Sequence, residues 1–511
     1  MFKNFYIFLF KLRSLLFLKK YQKEFFYIEK YKEIVSLYDK KFLIVQNYCF
    51  ELKKKIKNKF SFGKKVLKAI IIIYSKNKYF NYKLDNERFQ KKIDTRTINF
   101  LKFENINNKK LELLTNQKDK VLNVIKINKK SQKKLVLIIL LDGLNYKISN
   151  NLKYSKKFFK HSSLNNFWSN AEWTMPSFAN LITGNLTSTH GLYNHYSFYN
   201  NKKNSTSLKD ENTLFKFFSS KGFVTGCYTG CVRINPTYNL LNNIDIFKHC
   251  DQEKGENIVE YVKGQLELFK DTSNFIFLHL LDGHHVMDTG LKKSNFAFQN
   301  PKHYKNIYND FNDNMYKKTP FRRYSNSAKS EILSLYSDAD LILDNLYSYL
   351  DKKNYDDYTI MLMGDHGKVM DNEPDQHRLL CNDMNNIGFF IKDKKFKNFN
   401  KKKMHNIIDI FPSLCERYGR NIKLKKFDGF NTLYNKRVNR KLTISESLFK
   451  DKLQIAVRKN DLHFHADKNF GEKKFNNFEF YKKKLNKIKK VKIENKIFKY
   501  FNQFLKSYKK I

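Results

Sequence analysis

LVLIILL, at residues 135–141, is followed directly by Asp142 and Gly143. Seven consecutive apolar residues have the length and composition of a strand that is buried on both faces. Similar runs recur at 275–281 (FIFLHLL), 358–363 (YTIMLM) and 387–391 (IGFFI), with amphipathic stretches between them. Strands that alternate with helices predict an α/β fold, with a mostly parallel sheet and helices on both of its faces.

Polar residues stand at the ends of these predicted strands. Two of the runs end in Asp-Gly, at 142–143 and 282–283, and a third ends in Gly-Asp-His at 364–366. The carboxyl ends of parallel strands form the edge of a sheet at which ligands bind. Carboxylates and imidazoles are ligands for divalent cations, so Asp142, Asp365 and His366 are candidate metal ligands.

The segment 171–191, AEWTMPSFANLITGNLTSTHG, places Thr174 ahead of an apolar helix. A hydroxyl at the N-terminus of a helix is favoured by the helix dipole once it bears negative charge, and a nearby cation lowers its pKa further. Thr174 is therefore a candidate nucleophile. The alternative is an ordinary helix cap, the commoner role of threonine at such a position.

A series of motifs resembles the sulfatase signature region of the alkaline phosphatase/sulfatase superfamily. The similarity spans residues 135–465, about two thirds of the chain, and its landmarks stand in the family's order. It implies an alkaline-phosphatase-like catalytic domain. The landmarks are Asp142-Gly143, Trp173-Thr174, Thr183-Gly184, Thr189-His190-Gly191, Asp282-Gly283-His284, Asp365-His366-Gly367, His377, Asp409, Asp428-Gly429 and Ser445-Glu446.

Two departures from the sulfatase pattern concern the nucleophile. Sulfatases carry a Cys or Ser that is oxidised to formylglycine, whereas this chain has Thr174, and Phe178 stands at the place of the motif's arginine. Threonine at this place instead resembles the phosphoethanolamine and phosphoglycerol transferases and the nucleotide phosphodiesterases. That resemblance implies cleavage of a phosphate ester or diester through a covalent threonine intermediate.

The resemblance also implies roles for the metal ligands and histidines. Asp142, Thr174, Asp365 and His366 would hold a first cation, while His284 and His377 would stabilise the phosphoryl oxygens or protonate the leaving group. Alternatively, a second cation would be held by Asp282, His284 and His377. The neighbours His285 and Asp288 are possible substitutes, although their default place is a solvated loop.

Gly143 departs from the family as well, because sulfatases commonly carry a second acidic residue at this place. One hard oxygen ligand is then missing, and with His366 present the expected divalent metal is zinc or manganese rather than calcium. The histidine of the Thr189-His190-Gly191 motif is expected to be structural.

Three functions remain open at this stage. The first is a metal-dependent phosphodiesterase or phosphotransferase that acts on a phosphorylated glycan, lipid or nucleotide; the glycan is suggested by the surface polysaccharides that bacterial relatives modify. The second is a sulfatase, a sulfuric ester hydrolase, that uses Thr174 or Ser177 directly. The third is a non-catalytic sulfatase-fold protein that binds an anionic partner.

Charge and cysteine content bear on partners and location. Lysine and arginine number 98 against 49 acidic residues, a net charge of +49 that favours anionic substrates and peripheral contact with anionic membranes. No nucleic-acid recognition motif accompanies the charge, so specific nucleic-acid binding is not expected. Six scattered cysteines and an N-terminus too interrupted for a signal peptide predict a cytoplasmic protein, with a peripheral place on the inner face of the membrane as the alternative.

The flanking regions are rich in lysine. Residues 1–130 are predicted to form a helical N-terminal region, in which 1–21 is a possible interfacial helix. A small strand region is predicted near residue 460, with His463 and His465 at the surface. Residues 466–511 are predicted to form a helical tail.

Overall fold

The structure of the protein is a computed structural model, which describes most of the chain between residues 34 and 491. The described residues are 34–37, 40–45, 48–51, 58–116, 119–128, 132–160, 162–192, 208, 212–231, 234, 243–250, 253–283, 326–370, 375, 379–395, 403–419, 427–449, 452–469, 472, 475–484 and 487–491.

The strands of these residues fall into five sheets. They are β1 (Ile34–Leu37), β2 (Lys40–Val45), β3 (Tyr48–Glu51), β4 (Lys59–Ser61), β5 (Val66–Ser75), β6 (Tyr79–Leu84), β7 (Glu87–Lys92), β8 (Thr97–Glu104), β9 (Lys110–Leu113), β10 (Asp119–Asn128), β11 (Lys134–Leu141), β12 (Phe167–Trp168), β13 (Val224–Thr229), β14 (Ile246–His249), β15 (Asn274–Leu280), β16 (Asp357–Met363), β17 (Phe389–Asp393), β18 (His405–Asn406), β19 (Thr443–Phe449), β20 (Lys452–Lys459), β21 (Leu462–Asn469), β22 (Asn476–Lys484) and β23 (Lys487–Lys490).

The helices of the described residues lie within the part of the chain between β11 and β19. They are α1 (Tyr146–Ser149), α2 (Lys153–Phe158), α3 (Thr174–Thr183), α4 (Thr187–His190), α5 (Leu214–Ser220), α6 (Gly255–Leu268), α7 (Asn326–Asp351), α8 (Asn382–Asn385) and α9 (Ile410–Tyr418), with a 3-10 turn at Ile407–Asp409 before α9.

A nine-stranded sheet forms the centre of the molecule, in the order β1-β2-β3-β14-β13-β15-β11-β16-β17. The five strands from β14 to β16 run parallel, with β11 between β15 and β16. The mostly parallel sheet is therefore confirmed. The apolar run at 387–391 forms β17, which pairs antiparallel with β16 at one edge.

Helices cover both faces of this sheet, as predicted. Alternate residues of β11 enter two different hydrophobic clusters: Leu137 and Ile139 pack on the side of α6 and α7, and Ile138 packs on the side of α3, α5 and α9. A strand that is buried on both faces has no polar position, which explains the unbroken run LVLIILL.

The prediction of a helical N-terminal region is wrong for the described residues, which form strands from Ile34 to Asn128. The three-stranded sheet β10-β5-β8 lies between the central domain and the four-stranded sheet β4-β9-β6-β7. Ile70 and Ile72 face the central core, whereas Ile71 and Ile73 face the outer sheet. Four successive β-branched residues suit a strand with two apolar faces. The many lysines of this region concealed the two-residue alternation of its strands in the sequence.

The prediction of a helical C-terminal tail is also wrong as far as the chain is described. Strands β19 to β23 form an antiparallel sheet that extends to Lys490. His463 and His465 are 1% and 2% exposed, so their predicted surface position is wrong too. Residues 492–511 and the predicted interfacial helix at 1–21 lie outside the described residues. No described helix is both long enough and apolar enough to cross a bilayer.

Candidate active site

The site forms where three neighbouring strands of the central sheet end. Asp142 follows β11 directly, and Asp365 and His366 come just after β16, which pairs with β11 in parallel. Parallel pairing brings these carboxyl ends to the same edge of the sheet, although more than two hundred residues separate them in sequence. Asp142 is 1% exposed and Asp365 is fully buried.

Thr174 is the first residue of α3, and its hydroxyl lies at this edge. Trp173 before it is extended, with φ −156° and ψ 169°, and makes no side-chain cap. Thr174 Oγ1 donates a hydrogen bond to Asp142 Oδ2 at 3.1 Å. The hydroxyl therefore lies both at a helix N-terminus, where negative charge is stabilised, and against a candidate metal ligand.

His279 belongs to the site and was not singled out from the sequence. It lies in β15, is fully buried, and places Nε2 at 3.3 Å from Asp142 Oδ2. Its Nδ1 lies 3.2 Å from the hydroxyl of Thr229. The signal was a histidine inside the otherwise apolar run FIFLHLL, since a buried polar side chain in such a strand needs a partner.

His366, like His279, has its Nε2 atom close to the carboxylates of the site. Its Nδ1–H donates to the carbonyl of Gly367 at 2.9 Å, which leaves Nε2 as the basic nitrogen. Nε2 lies 3.4 Å from Asp365 Oδ2 and 3.7 Å from Asp142 Oδ1. The predicted group of Asp142, Thr174, Asp365 and His366 thus converges at one place.

The residues present suit a divalent cation. One ligand atom each from Asp142, His279 and Asp365 lies within 4.8 Å of the other two. Asp365 Oδ1 accepts from the backbone N–H groups of Gly143 and His366, at 3.0 and 2.9 Å. Asp365 Oδ2 and His279 Nε2 are buried and have no hydrogen-bond partner among the described residues. A bound cation would supply the partner that these buried polar atoms lack.

Gly143 has a structural reason to be glycine. Its φ is +69°, and a Cβ at this position would lie 2.8 Å from Lys368 Cε and 2.9 Å from Tyr336 Oη. Tyr336 Oη in turn donates to the carbonyl of Asp142 at 2.7 Å. The side chains of Lys368 and Tyr336 therefore occupy the space that an acidic residue at 143 would need.

Glu172, two residues before Thr174, is a further buried acid, which the sequence did not reveal. Burial raises its pKa to about 7, although a hydrogen bond from Ser447 opposes the rise. Ser447 Oγ donates to Oε1 at 2.6 Å, and Oε2 has no partner among the described residues. No spacing or motif distinguishes this glutamate in the sequence.

The C-terminal sheet supports the loop that carries the nucleophile. Ser445 Oγ donates to the carbonyl of Ser169, and the Glu446 carboxylate accepts from the N–H and hydroxyl of Ser188. Arg458 is fully buried and donates to Ser445 Oγ, to Asn385 Oδ1 and to two backbone carbonyls. Ser445 and Glu446 thus hold the site's framework in place.

Asp282 does not join this group. Its Oδ1 accepts from the backbone N–H of Gly255 at the start of α6, at 3.3 Å. Burial and the nearby Glu256 carboxylate raise the pKa of Asp282 to about 7. No described group of three ligand atoms includes it. The predicted second cation depends on His284 and His377, which lie outside the described residues, as do His285 and Asp288.

Two residues near the nucleophile have structural roles. Phe178, at the place of the sulfatase arginine, is fully buried and packs on Phe277 with ring centroids 4.7 Å apart. His190 is fully buried, and its Nε2 lies 2.7 Å from Asn180 Oδ1. Burial lowers the pKa of His190 to about 3, so this histidine is neutral.

A family model described as Sulfatase matches residues 134–419, more than half of the 511 residues. The chain belongs to the sulfatase family. Members of its superfamily are metal-dependent hydrolases and transferases, which agrees with the buried Asp-His-Asp group. The matched residues include Asp142, Thr174, His279, Asp365 and His366. The N-terminal sheets and the C-terminal sheet lie outside the match.

Solved structures of the same fold include BT1596, a 2-O GAG sulfatase. It is 13% identical, and the alignment covers 74% of this chain and 92% of BT1596 with a TM-score of 0.54. A protein in the alkaline phosphatase superfamily from Vibrio parahaemolyticus is also 13% identical, over 75% of this chain and 88% of its own, with a TM-score of 0.48. No curated protein sequence matches the chain. The likeness to BT1596 shows the sulfatase fold.

Proposed function

We propose that this sulfatase-family protein cleaves a phosphate ester or diester through a covalent phosphothreonine at Thr174. The observation that carries the proposal is the hydrogen bond from Thr174 Oγ1 to Asp142 Oδ2 at 3.1 Å, within a buried group of carboxylates and imidazoles. A threonine that merely capped α3 would accept from backbone N–H groups of the helix, and Thr174 instead donates to an acid.

Thr174 becomes a nucleophile when its proton leaves. Asp142 Oδ2 already accepts the hydroxyl hydrogen and is the atom to which the proton moves. The resulting alkoxide is stabilised by the N-terminus of α3, a helix of 10 residues. Both residues are almost completely buried, which strengthens these electrostatic interactions.

Asp142, His279, Asp365 and His366 would hold the cation. When bound, such an ion lowers the pKa of a neighbouring hydroxyl and neutralises charge on phosphoryl oxygens. Two carboxylates with two imidazoles suit zinc or manganese better than calcium, which takes oxygen ligands almost exclusively. The second imidazole, from His279, strengthens the preference that His366 alone suggested.

The reaction then proceeds in two balanced steps. A bond forms between Thr174 Oγ1 and phosphorus while the bond from phosphorus to the leaving oxygen breaks, and His284 or His377 gives that oxygen a proton. In the second step, the oxygen of water or of an acceptor alcohol attacks phosphorus and gives its proton to the same histidine. The bond from phosphorus to Thr174 Oγ1 breaks, and Oγ1 takes back its proton from Asp142. Water completes a hydrolysis, and an alcohol completes a transfer.

Phosphate is preferred to sulfate for reasons that lie in the chain itself. Threonine cannot be converted to formylglycine, and the buried Phe178 cannot replace the arginine of the sulfatase motif. Lys368 adds a cationic side chain next to Gly143, where many sulfatases add a carboxylate. A site with one carboxylate fewer and one lysine more favours the dianion of a phosphate monoester over the monoanion of a sulfate ester.

The test compares wild type with Thr174→Ser, which keeps a hydroxyl, and Thr174→Val, which keeps the shape without one. Release of nitrophenol is measured from bis-nitrophenyl phosphate, nitrophenyl phosphate and nitrophenyl sulfate, with zinc, manganese or calcium. We expect phosphoester cleavage with zinc or manganese by wild type, partial activity of the serine variant and none with valine.

Other outcomes of this experiment separate the alternatives. Cleavage of the sulfate ester but not of the phosphoesters would replace the proposal with a sulfuric ester hydrolase. Cleavage that survives in Thr174→Val would exclude the threonine as the nucleophile. Metal binding without turnover of any ester, with or without an added alcohol, would favour a non-catalytic protein of the sulfatase fold.

The natural substrate is proposed to be anionic, with a glycan or lipid as the group that carries the phosphate. The net charge of +49 supports an anionic substrate because a positive surface raises the local concentration of anions. BT1596, which shares the fold, is a 2-O GAG sulfatase, and this property of that protein suggests a glycan as the carrier of the ester. Peripheral contact with an anionic membrane and a cytoplasmic location stay predictions.

A further inference from the structure

A cavity is lined by residues that do not belong to the candidate active site. Its volume is about 420 Å³, within the range of about 300–1,000 Å³ that is usual for small-molecule sites. The loop that follows α3 forms one wall, and β18, the 3-10 turn and the segment 428–444 form the others. We infer that this cavity binds a single sugar ring of a saccharide.

An aromatic ring stands at the cavity. Phe430 lines it and is 50% exposed, one of the few large apolar side chains so exposed among the described residues. Its backbone N–H donates to Asp409 Oδ1 at 2.8 Å, and the Arg440 guanidinium lies 4.7 Å from the ring centroid. The ring is therefore held in place while half of it stays accessible, as a surface for the C–H face of a sugar requires.

Of two buried polar side chains at the cavity, Asn406 supplies a donor and Arg440 is paired with Asp409. Asn406 lines the cavity and is fully buried, and its Nδ2 has no acceptor among the described residues. Arg440, which is 8% exposed, directs Nε and Nη2 to Asp409. A ligand with oxygen atoms would satisfy the Asn406 amide, whose burial is otherwise uncompensated.

The lining also contains an acceptor and a charge at the rim. The carboxylate of Asp428 is an acceptor that lines the cavity, and its Oδ2 accepts from the backbone N–H of Leu186 at 3.0 Å and from the hydroxyl of Thr189. Lys441 is exposed at the cavity, and Leu442 and Ile444 add apolar surface. Donors, an acceptor and apolar walls together match a ligand that has hydroxyl groups around an apolar ring.

Two other ligand classes fit less well. A purely apolar molecule would leave the amide of Asn406 without an acceptor. A simple anion would meet the carboxylate of Asp428, while the charge of Arg440 is already neutralised by Asp409. The saccharide site does not depend on phosphoester cleavage, since none of the cavity's residues belongs to the proposed active site.

The test measures binding to the full chain by ligand-observed NMR and titration calorimetry. The probes are glucose, galactose, N-acetylglucosamine and glucuronate, with cyclohexanol and inorganic phosphate as non-sugar controls. EDTA is present throughout, and wild type is compared with Asp365→Asn so that the catalytic site does not contribute. We expect at least one sugar to bind both proteins equally, and neither control compound to bind at this cavity.

Variants locate the binding. Phe430→Ala is expected to weaken the sugar about tenfold, because an aromatic contact of this kind contributes about the free energy of a tenfold change in Kd. Lys441→Met should weaken a negatively charged sugar more than a neutral one. The matched controls are Phe89→Ala, another half-exposed aromatic, and Lys436→Met, an exposed lysine outside the cavity.

The inference is overturned if none of the sugars binds, or if Phe430→Ala binds them as tightly as wild type does. Binding of cyclohexanol or phosphate in place of sugars would assign the cavity to another ligand class and would overturn it too. Nitrophenyl phosphodiester cleavage is expected to be equal in wild type and Phe430→Ala. Failure of that cleavage in wild type would count against the proposed function and not against the sugar site.

Discussion

Strand β16 has a buried carboxylate at each end, and the two have opposite surroundings. At its start, Asp357 receives two hydrogen bonds from Arg417, at 2.6 and 3.1 Å, and Arg417 also binds Asp393. Just past its end, Asp365 has a histidine nitrogen at 3.4 Å and an oxygen without a hydrogen-bond partner among the described residues. The carboxylate of Asp357 is paired with the permanent positive charge of Arg417, whereas the carboxylate of Asp365 is suited to bind a cation from solution.

The pKa of Asp357 reflects its pairing. Burial acts to raise it, but the hydrogen bonds and charge of Arg417, together with Lys395, outweigh burial and lower it. An arrangement of this kind stabilises the fold. The group of Asp142, His279 and Asp365 is better explained by ligand binding, because both histidines near its carboxylates carry charge only when protonated.

The largest predicted effect concerns Asp365→Asn, which removes the charge and keeps the shape. Ester turnover should fall on the order of 10³-fold or more, as when a central catalytic group is lost. The metal-free protein should be at least as stable as wild type, because a buried uncompensated charge is removed. Steady-state kinetics and urea unfolding in EDTA provide the two measurements.

If Asp365→Asn kept its turnover and lost stability in EDTA, Asp365 would be a structural residue like Asp357 and not a metal ligand. Asp357→Asn serves as the matched control at the other end of the strand. It should lose stability and keep the turnover of the folded enzyme.

The next effect concerns Arg417→Met, which should lower the free energy of unfolding by about 3–5 kcal/mol because it leaves two carboxylates without their shared cation. Lys482→Met breaks the exposed pair with Asp461 and should cost less than about 1 kcal/mol. Urea unfolding of the metal-free proteins checks both values. Equal losses of unfolding free energy in the two variants would show that the buried pairing of Arg417 with Asp357 and Asp393 stabilises no more than an exposed ion pair does.

Zinc binding should distinguish the carboxylates at the two ends of β16. Zinc at about 100 times its Kd should stabilise wild type by about 2.7 kcal/mol. Arg417→Met should gain the same increment, since it keeps all of the candidate metal ligands. Asp365→Asn should gain much less because it lacks one of them. Unfolding curves with and without zinc give these increments. A full increment in Asp365→Asn would place the bound ion elsewhere.

A smaller effect is expected from His190, a buried polar residue that is satisfied without any charge. Its pKa is lowered in the folded protein to about 3, so below its ordinary value of 6.5 the unfolded chain binds the extra proton. Stability is therefore lost as the pH falls from about 6.5 toward 3, by up to about 1.4 kcal/mol per pH unit. His190→Gln should reduce that slope, as measured by urea unfolding between pH 7.5 and 5.5.

Much of the central fold could be predicted from the sequence, because buried parallel strands leave unbroken apolar runs such as the one before Asp142. The N-terminal and C-terminal sheets could not. Their strands alternate between core and solvent, but lysine fills so many exposed positions that spacings of two, three and four residues occur together. Ile70–73 was the clearest local sign of a strand, and it is short enough to suit a helix as well.

The site was partly predictable for a related reason. Asp142, Thr174, Asp365 and His366 stand at strand and helix ends, where sequence motifs mark them, and the structure brings them together. His279 lies within a strand and reaches the site only through the register of β15 with β11. Glu172 depends on Ser447 of the C-terminal sheet, a partner 275 residues away that no local pattern indicates.

The most direct test of the threonine mechanism is to trap its intermediate. Wild type with zinc is mixed with bis-nitrophenyl phosphate, quenched in acid within milliseconds to seconds, digested and analysed by mass spectrometry, with Thr174→Val as the control. The proposed mechanism predicts a phosphoryl adduct on Thr174 that appears with the first burst of nitrophenol and is absent from the control. An adduct on Ser177, or rapid turnover with no adduct on the peptide that contains Thr174, would contradict it.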